Sequence, residues 1–108
     1  MGGAATVILQ MDFTTPPPPY PAPGPARNAM LRELAHSIAA DTPGLVWKIW
    51  TEDAPATRAG GLYAFSTREG AMAYQAMHTA RVVARGGTGI QPVIWDIDAE
   101  LSAITRGV

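Results

Sequence analysis

Between Pro43 and Arg81 the hydrophobic period changes from two to that of a helix, and this limits the available folds more than any other feature of the chain. In Val46-Trp-Lys-Ile-Trp-Thr-Glu52 the side chains alternate. Trp47, Ile49 and Thr51 share one face of a strand, while Val46, Lys48, Trp50 and Glu52 share the other. Pro55 marks a loop, and Gly61 to Ser66 reads as a second strand. Ser66 or Thr67 then caps a helix, with Glu69 in its first turn as a capping partner, and the helix runs to about Ala84 before Gly86-Gly87 stops it. One residue stands out. A lysine between two tryptophans, in a strand this apolar, either reaches solvent or sits in an enclosed polar pocket.

The flanking segments complete the pattern. Ala5 to Phe13 predicts a first strand, with Val7, Leu9, Met11 and Phe13 on one face and Thr6, Ile8, Gln10 and Asp12 on the other. Arg27 to Ala40 predicts an amphipathic helix whose inner face holds Met30, Leu31, Leu34, Ala35 and Ile38, with Arg32, Glu33 and His36 turned away. Thr42-Pro43-Gly44 ends it. Gln91 to Ile97 predicts a last strand, and Leu101 to Thr105 a short terminal helix. The order is β-α-β-β-α-β, the ferredoxin-like α+β arrangement of one antiparallel sheet with two helices on one face, spanning residues 1–108 as a single domain. Thr14 to Pro25 interrupts it with seven prolines around Tyr20, which excludes a helix interior or a central strand. This stretch is a stiff polyproline-like loop, either a plain connection, a lid over the site with Tyr20 at its tip, or a ligand for a proline-recognition module.

Composition narrows the function classes. A net charge of −1 without a basic block gives no electrostatic support for nucleic-acid or membrane-surface binding. The chain has no cysteine, so disulfides and thiolate chemistry are excluded. No run approaches the ~18 apolar residues of a membrane span. The start, Met-Gly-Gly-Ala-Ala, lacks the basic segment of a secretory signal, so a cytoplasmic protein is expected. The two histidines lie far apart in sequence, which argues against a dedicated metal site, and Gly86-Gly-Thr-Gly follows a helix rather than opening one, which is the wrong context for cradling phosphate. Hydrophobic residues make up 47% and charged ones 16%, so apolar surface is expected to be hidden in an oligomer.

The strand faces sort into two sets. Val7, Leu9, Met11, Trp47, Ile49, Leu62, Ala64, Val93, Trp95 and Ile97 are nearly all apolar and suit the face under the helices. Ile8, Gln10, Asp12, Val46, Lys48, Trp50, Glu52, Tyr63, Phe65, Ile94 and Asp96 form a mixed set. The expectation is that a second subunit's sheet closes over this mixed face, making a dimeric barrel whose polar members line a cavity.

The runs Pro-Gly-Leu-Val-Trp-Lys-Ile-Trp-Thr-Glu, Ala-Gly-Gly-Leu-Tyr-Ala-Phe and Ala-Tyr-Gln-Ala-Met-His-Thr-Ala-Arg resemble the YdhR-type monooxygenases of the dimeric α+β barrel superfamily. The resemblance is good from Pro43 to the C-terminus and weaker over the first strand and helix. It implies a homodimer, a pocket in each half of the barrel, and oxygenation of an aromatic or polyketide-like small molecule without metal, flavin or other cofactor. The proline-rich segment departs from the family's pattern.

Candidate roles follow from residue types. Lys48, if enclosed, loses solvation and becomes a base or an anion partner; otherwise it ties strands together through Glu52 or Asp96. Trp50, Tyr63 and Phe65 would wall an aromatic guest, with Gln10 from the first strand, Tyr74 from the second helix and Tyr20 from the proline loop contributing to its binding. His78 shares a helix stripe with Tyr74, Arg81 and Arg85, set away from Ala73, Ala76, Met77, Ala80 and Val83, which read as core. His78 with Arg81 is either a proton shuttle at the pocket entrance or part of a solvated face. His36 is assigned no role. Two other functions use the same pocket: a cyclase or isomerase of a polyketide-like substrate, and a non-catalytic small-molecule binding module.

Overall fold

Helix α1 (Pro25–Asp41) opens on a proline, whose fixed φ suits a first helical turn. Helix α2 (Arg68–Ala84) starts at Thr67, whose side chain accepts a 3.0 Å hydrogen bond from the Gly70 amide. Gly70 occupies the position from which a capping glutamate would reach back, so Glu69 acts on the helix dipole instead. A computed structural model describes residues 4–15, 24–53 and 57–107. Tyr20 and most of the proline-rich stretch lie outside these described residues.

The strands are β1 (Val7–Thr14), β2 (Leu45–Glu52), β3 (Arg58–Phe65) and β4 (Thr88–Asp96), and a short helix α3 (Ala99–Ile104) follows. They form one sheet in the order β2-β3-β1-β4, every neighbouring pair antiparallel. This is the ferredoxin-like α+β topology expected from the element order. Among the described residues no helix is long and apolar enough to cross a membrane.

Register decides which residues share a face, and here it departs from the expected sorting. Val7 faces Phe65 and Leu9 faces Tyr63 on one side and Ile94 on the other, while Tyr63 in turn faces Lys48. Directly opposed residues point to the same side of a sheet. Lys48, Trp50, Tyr63, Phe65 and Ile94 therefore lie with Val7, Leu9 and Met11 under the helices. Trp47, Ile49, Leu62, Val93 and Trp95 lie on the open face with Ile8 and Gln10. The alternation within each strand is as expected, but the match between β1 and the other three strands is reversed. A bulge between Leu45 and Trp47 turns Leu45 onto the core and leaves Val46 exposed.

The core sits at one end of the layer between sheet and helices. Val7, Leu9, Met11, Tyr63 and Phe65 of the sheet pack with Ile38 of α1 and with Ala71 and Tyr74 of α2. Toward the other end, β3 carries Gly60-Gly61. A Cβ on Gly60 would stand 2.0 Å from the Met11 carbonyl oxygen, a contact no side chain can make. Gly60→Ala is therefore expected to lower stability by on the order of 2–4 kcal/mol through the forced separation of β1 and β3, measurable as a reduced urea midpoint.

Candidate active site

Residues spaced by three and four along α2 share a face. Tyr74, His78 and Val82 are buried, with Arg81 partly so, and all turn toward the sheet. Met77 and Val83 are exposed, as are Ala73, Ala76 and Ala80, so the helix buries the opposite face from the one its alanines and methionine predict. The ring cluster explains this choice. Tyr74 packs 4.8 Å from Tyr63 and stacks on His78 at 5.2 Å between centroids, and the His78 ring meets Phe13 edge-on at 6.5 Å. Four rings bury more apolar area than alanines could.

Beyond this cluster, sheet and helices separate around a cavity of about 490 Å3, bounded by Lys48 and Trp50 of β2, Tyr63 of β3, Phe13 of β1, His78 and Arg81 of α2, and the first turns of α1. It lies within a single chain, on the helix side of the sheet. The expectation that a second sheet would roof over Lys48 is corrected accordingly: the chain's own helices do so.

Lys48 is the centre of the site. Its Nζ stands 3.3 Å from the centroid of the Trp50 ring and 4.7 Å from that of Tyr63. Residues two apart on a strand share a face, which is how the amine reaches the ring of Trp50. Gly61 makes the room, since a Cβ there would come within 2.9 Å of Lys48 Cε. The amine has no carboxylate partner among the described residues. Glu52 is engaged by Arg27 at 2.7 Å, and Asp96 by Arg68. Burial, and secondarily the Arg81 guanidinium, lower the Lys48 pKa to about 7.

Arg81 organises the neighbouring groups. Its Nε donates to His78 Nδ1 at 3.2 Å, and its Nη2 donates to the Tyr74 hydroxyl at 3.0 Å. Since Nδ1 accepts, the neutral imidazole carries its proton on Nε2. Burial, followed by Arg81, Lys48 and Arg85, holds His78 down to about 3, so it stays neutral at pH 7 instead of titrating there. Tyr63 is fully buried, and its hydroxyl has no hydrogen-bond partner among the described residues. Burial, with the nearby Tyr74 hydroxyl, pushes Tyr63 ionisation far up, so it remains an O–H donor. Burial likewise raises Tyr74.

Other sequence candidates fall elsewhere. Phe65 and Tyr74 are in the core, 6.0 Å apart, and neither borders this cavity. Gln10 is on the open face, where it accepts from Trp95 Nε1 at 3.3 Å. Sequence reasoning missed Arg27, which is buried and joined to Glu52, and Phe13 as a wall. The signal for Arg27 was its position four residues before Leu31, on the inner face of α1. Among the described residues no group of three His, Asp or Glu is placed to hold a metal ion.

Fold and site together define a ferredoxin-like α+β domain with a ring-walled cavity, rich in cationic groups, between its sheet and its helices. The family model described as "Putative mono-oxygenase ydhR" matches residues 8–108, nearly the whole chain, and the chain belongs to that family. No curated protein matches it.

A buried amine costs stability wherever it must fold charged. In the unfolded chain Lys48 has its ordinary pKa of 10.5, against about 7 when folded. Between those values the unfolded state binds the extra proton, so this group's penalty is full below pH 7 and fades as pH rises toward 10. Lys48→Met is expected to stabilise the protein at pH 6 by on the order of 1–3 kcal/mol, with the gain shrinking by pH 9, as read from urea melts at both values.

Proposed function

We propose that the chain is a cofactor-independent monooxygenase acting on an aromatic or polyketide-like small molecule in the cavity between sheet and helices. The observation that carries this reading is the Lys48 amine, pressed against Trp50 and Tyr63 with a pKa of about 7, which supplies a neutral base at physiological pH. Family membership supports the oxygenase class. In this reaction Lys48 takes a proton from an acidic CH2 of an anthrone-like ring. The carbanion passes one electron to dioxygen, the substrate radical and superoxide combine to a peroxide anion, and the Lys48 ammonium returns its proton to give the substrate hydroperoxide. Loss of water then leaves a carbonyl, so one oxygen atom enters the product and the other leaves in water. Arg81 and the Tyr63 hydroxyl supply donors for the developing oxyanion, and Trp50 is a flat wall for the ring.

The test is oxygen uptake with a panel of anthrones and hydroquinones. Lys48→Met is expected to reduce uptake by about two to four orders of magnitude, the usual contribution of a general base, without loss of folding. For the wild type, kcat/KM is expected to rise with pH and level off above about 7, as the free Lys48 amine forms. Turnover that persists without oxygen would replace this reading with proton-transfer chemistry, cyclisation or isomerisation, by the same base.

The same proposal includes a homodimer, now formed through the face opposite the cavity. Trp95 and Ile49 are more than half exposed there, beside Val93, Leu62 and Ile8. A sheet face this apolar, interrupted by Gln10, is covered well by a second sheet about 10 Å away. Sedimentation is expected to give a dimer for the wild type and a monomer for the Ile49→Lys, Trp95→Lys double variant.

A further inference from the structure

Positive charge is gathered in the cavity out of proportion to the chain. The protein has eight Lys and Arg against nine Asp and Glu. Five of those basic residues, Arg27, Arg32, Lys48, Arg81 and Arg85, border the cavity, and Glu52 is the one acid that does so among the described residues. Arg27 and Glu52 neutralise each other at 2.7 Å. No carboxylate among the described residues lies within ion-pair distance of the other four.

These cations work against one another. Arg81 gives its hydrogen bonds to neutral acceptors, His78 Nδ1 and the Tyr74 hydroxyl, so its charge is solvated but not balanced. Burial first and this crowding second push Lys48 and His78 toward their neutral forms, fully for His78 at pH 7 and about halfway for Lys48. Beside them the buried Tyr63 O–H, next to the Tyr74 hydroxyl, makes no well-formed hydrogen bond among the described residues. An orphan donor among uncompensated cations is complementary to a negatively charged acceptor.

We propose that the ligand of this cavity is an acid, a planar aromatic or polyketide-like ring system bearing a carboxylate, bound through Arg81 and Arg85 at the end of α2 with its ring against Trp50. The ring's role as a reacting group rests on the monooxygenase reading above; the demand for an anion does not. The division of labour has a physical reason. A permanent anion against Lys48 would favour the ammonium form and disable the base, whereas arginine cannot lose its proton and is suited to hold such a charge. The planar guanidinium fork also matches the two oxygens of a carboxylate.

The probes are 2-naphthoate and its neutral isostere 2-naphthamide, compared by calorimetry. The wild type is expected to bind naphthoate about ten- to a hundredfold tighter, the factor corresponding to a charge-assisted hydrogen bond, with the preference shrinking as salt is raised. Arg81→Gln is expected to remove most of the preference, naphthoate losing more affinity than naphthamide. Because Arg81 also supports His78 and Tyr74, Arg85→Gln is measured alongside it and is expected to reduce the preference without that liability. Naphthoate binding no tighter than naphthamide, or a preference surviving in both variants, overturns the proposal. Oxygen uptake separates it from the monooxygenase reading. Selective naphthoate binding with no uptake from any carboxylated anthrone removes the oxygenase and keeps the acid site. Uptake from neutral anthrones that equals or exceeds that from their carboxylated counterparts removes the acid site and keeps the oxygenase.

Discussion

A primary amine held against two aromatic rings beneath a layer of helices is the constraint around which the rest of this domain is arranged. Lys48 has lost much of its water, and what replaces it is the face of Trp50 at 3.3 Å and the face of Tyr63 at 4.7 Å. Ring faces attract a cation less strongly than a carboxylate would, so the ammonium form is left under-stabilised and the neutral amine becomes accessible. A carboxylate is within the chain's means, since Glu52 ends the same strand, but Arg27 claims it. The Arg27–Glu52 pair thus does two things. It ties the start of α1 to the end of β2, and it keeps an anion away from Lys48.

The domain divides along its strands. At the end marked by Val7, Leu45 and Phe65, sheet and helices meet in a dry core with Ala71 and Ile38. At the end marked by Trp50, Gly61 and Phe13, they part around the cavity. Helix α2 serves both halves, with Ala71 and Tyr74 on the core side and Arg81, followed by the capping Arg85, on the cavity side. Tyr74 and His78 form the join, buried in rings yet bonded to Arg81. Uncompensated cations at one end are tolerated because the other end supplies the packing, a separation of stability from chemistry within one helix.

The order of elements was legible because it depends on local signals: period-two runs, Thr67 as a cap, Gly86-Gly87 as a stop. So was the pairing of Lys48 with Trp50 on one face, which follows from their spacing alone. The assignment of faces across strands was not. Both faces of this sheet hold large apolar side chains, so hydrophobicity could not say whether Trp95 or Ile94 belonged under the helices. A one-residue change of register exchanges them. The inner face of α2 was misread for a related reason. Alanines and methionine look like core, yet Tyr74 and His78 offered the sheet more area and found ring partners in Tyr63 and Phe13.

The amino-acid sequence by itself therefore determined the β-α-β-β-α-β fold, the family resemblance and the presence of an unusual lysine, because each is written in short-range spacing. Only the tertiary structure decided that the cavity lies between the sheet and the chain's own helices, that His78 is neutral, and that Arg81, Arg85 and Lys48 border one cavity with no carboxylate paired to them among the described residues. Those facts arise from residues distant in the chain, brought together by strand register and by helices closing over one particular face. Desolvation and charge crowding exist only once that closure has happened.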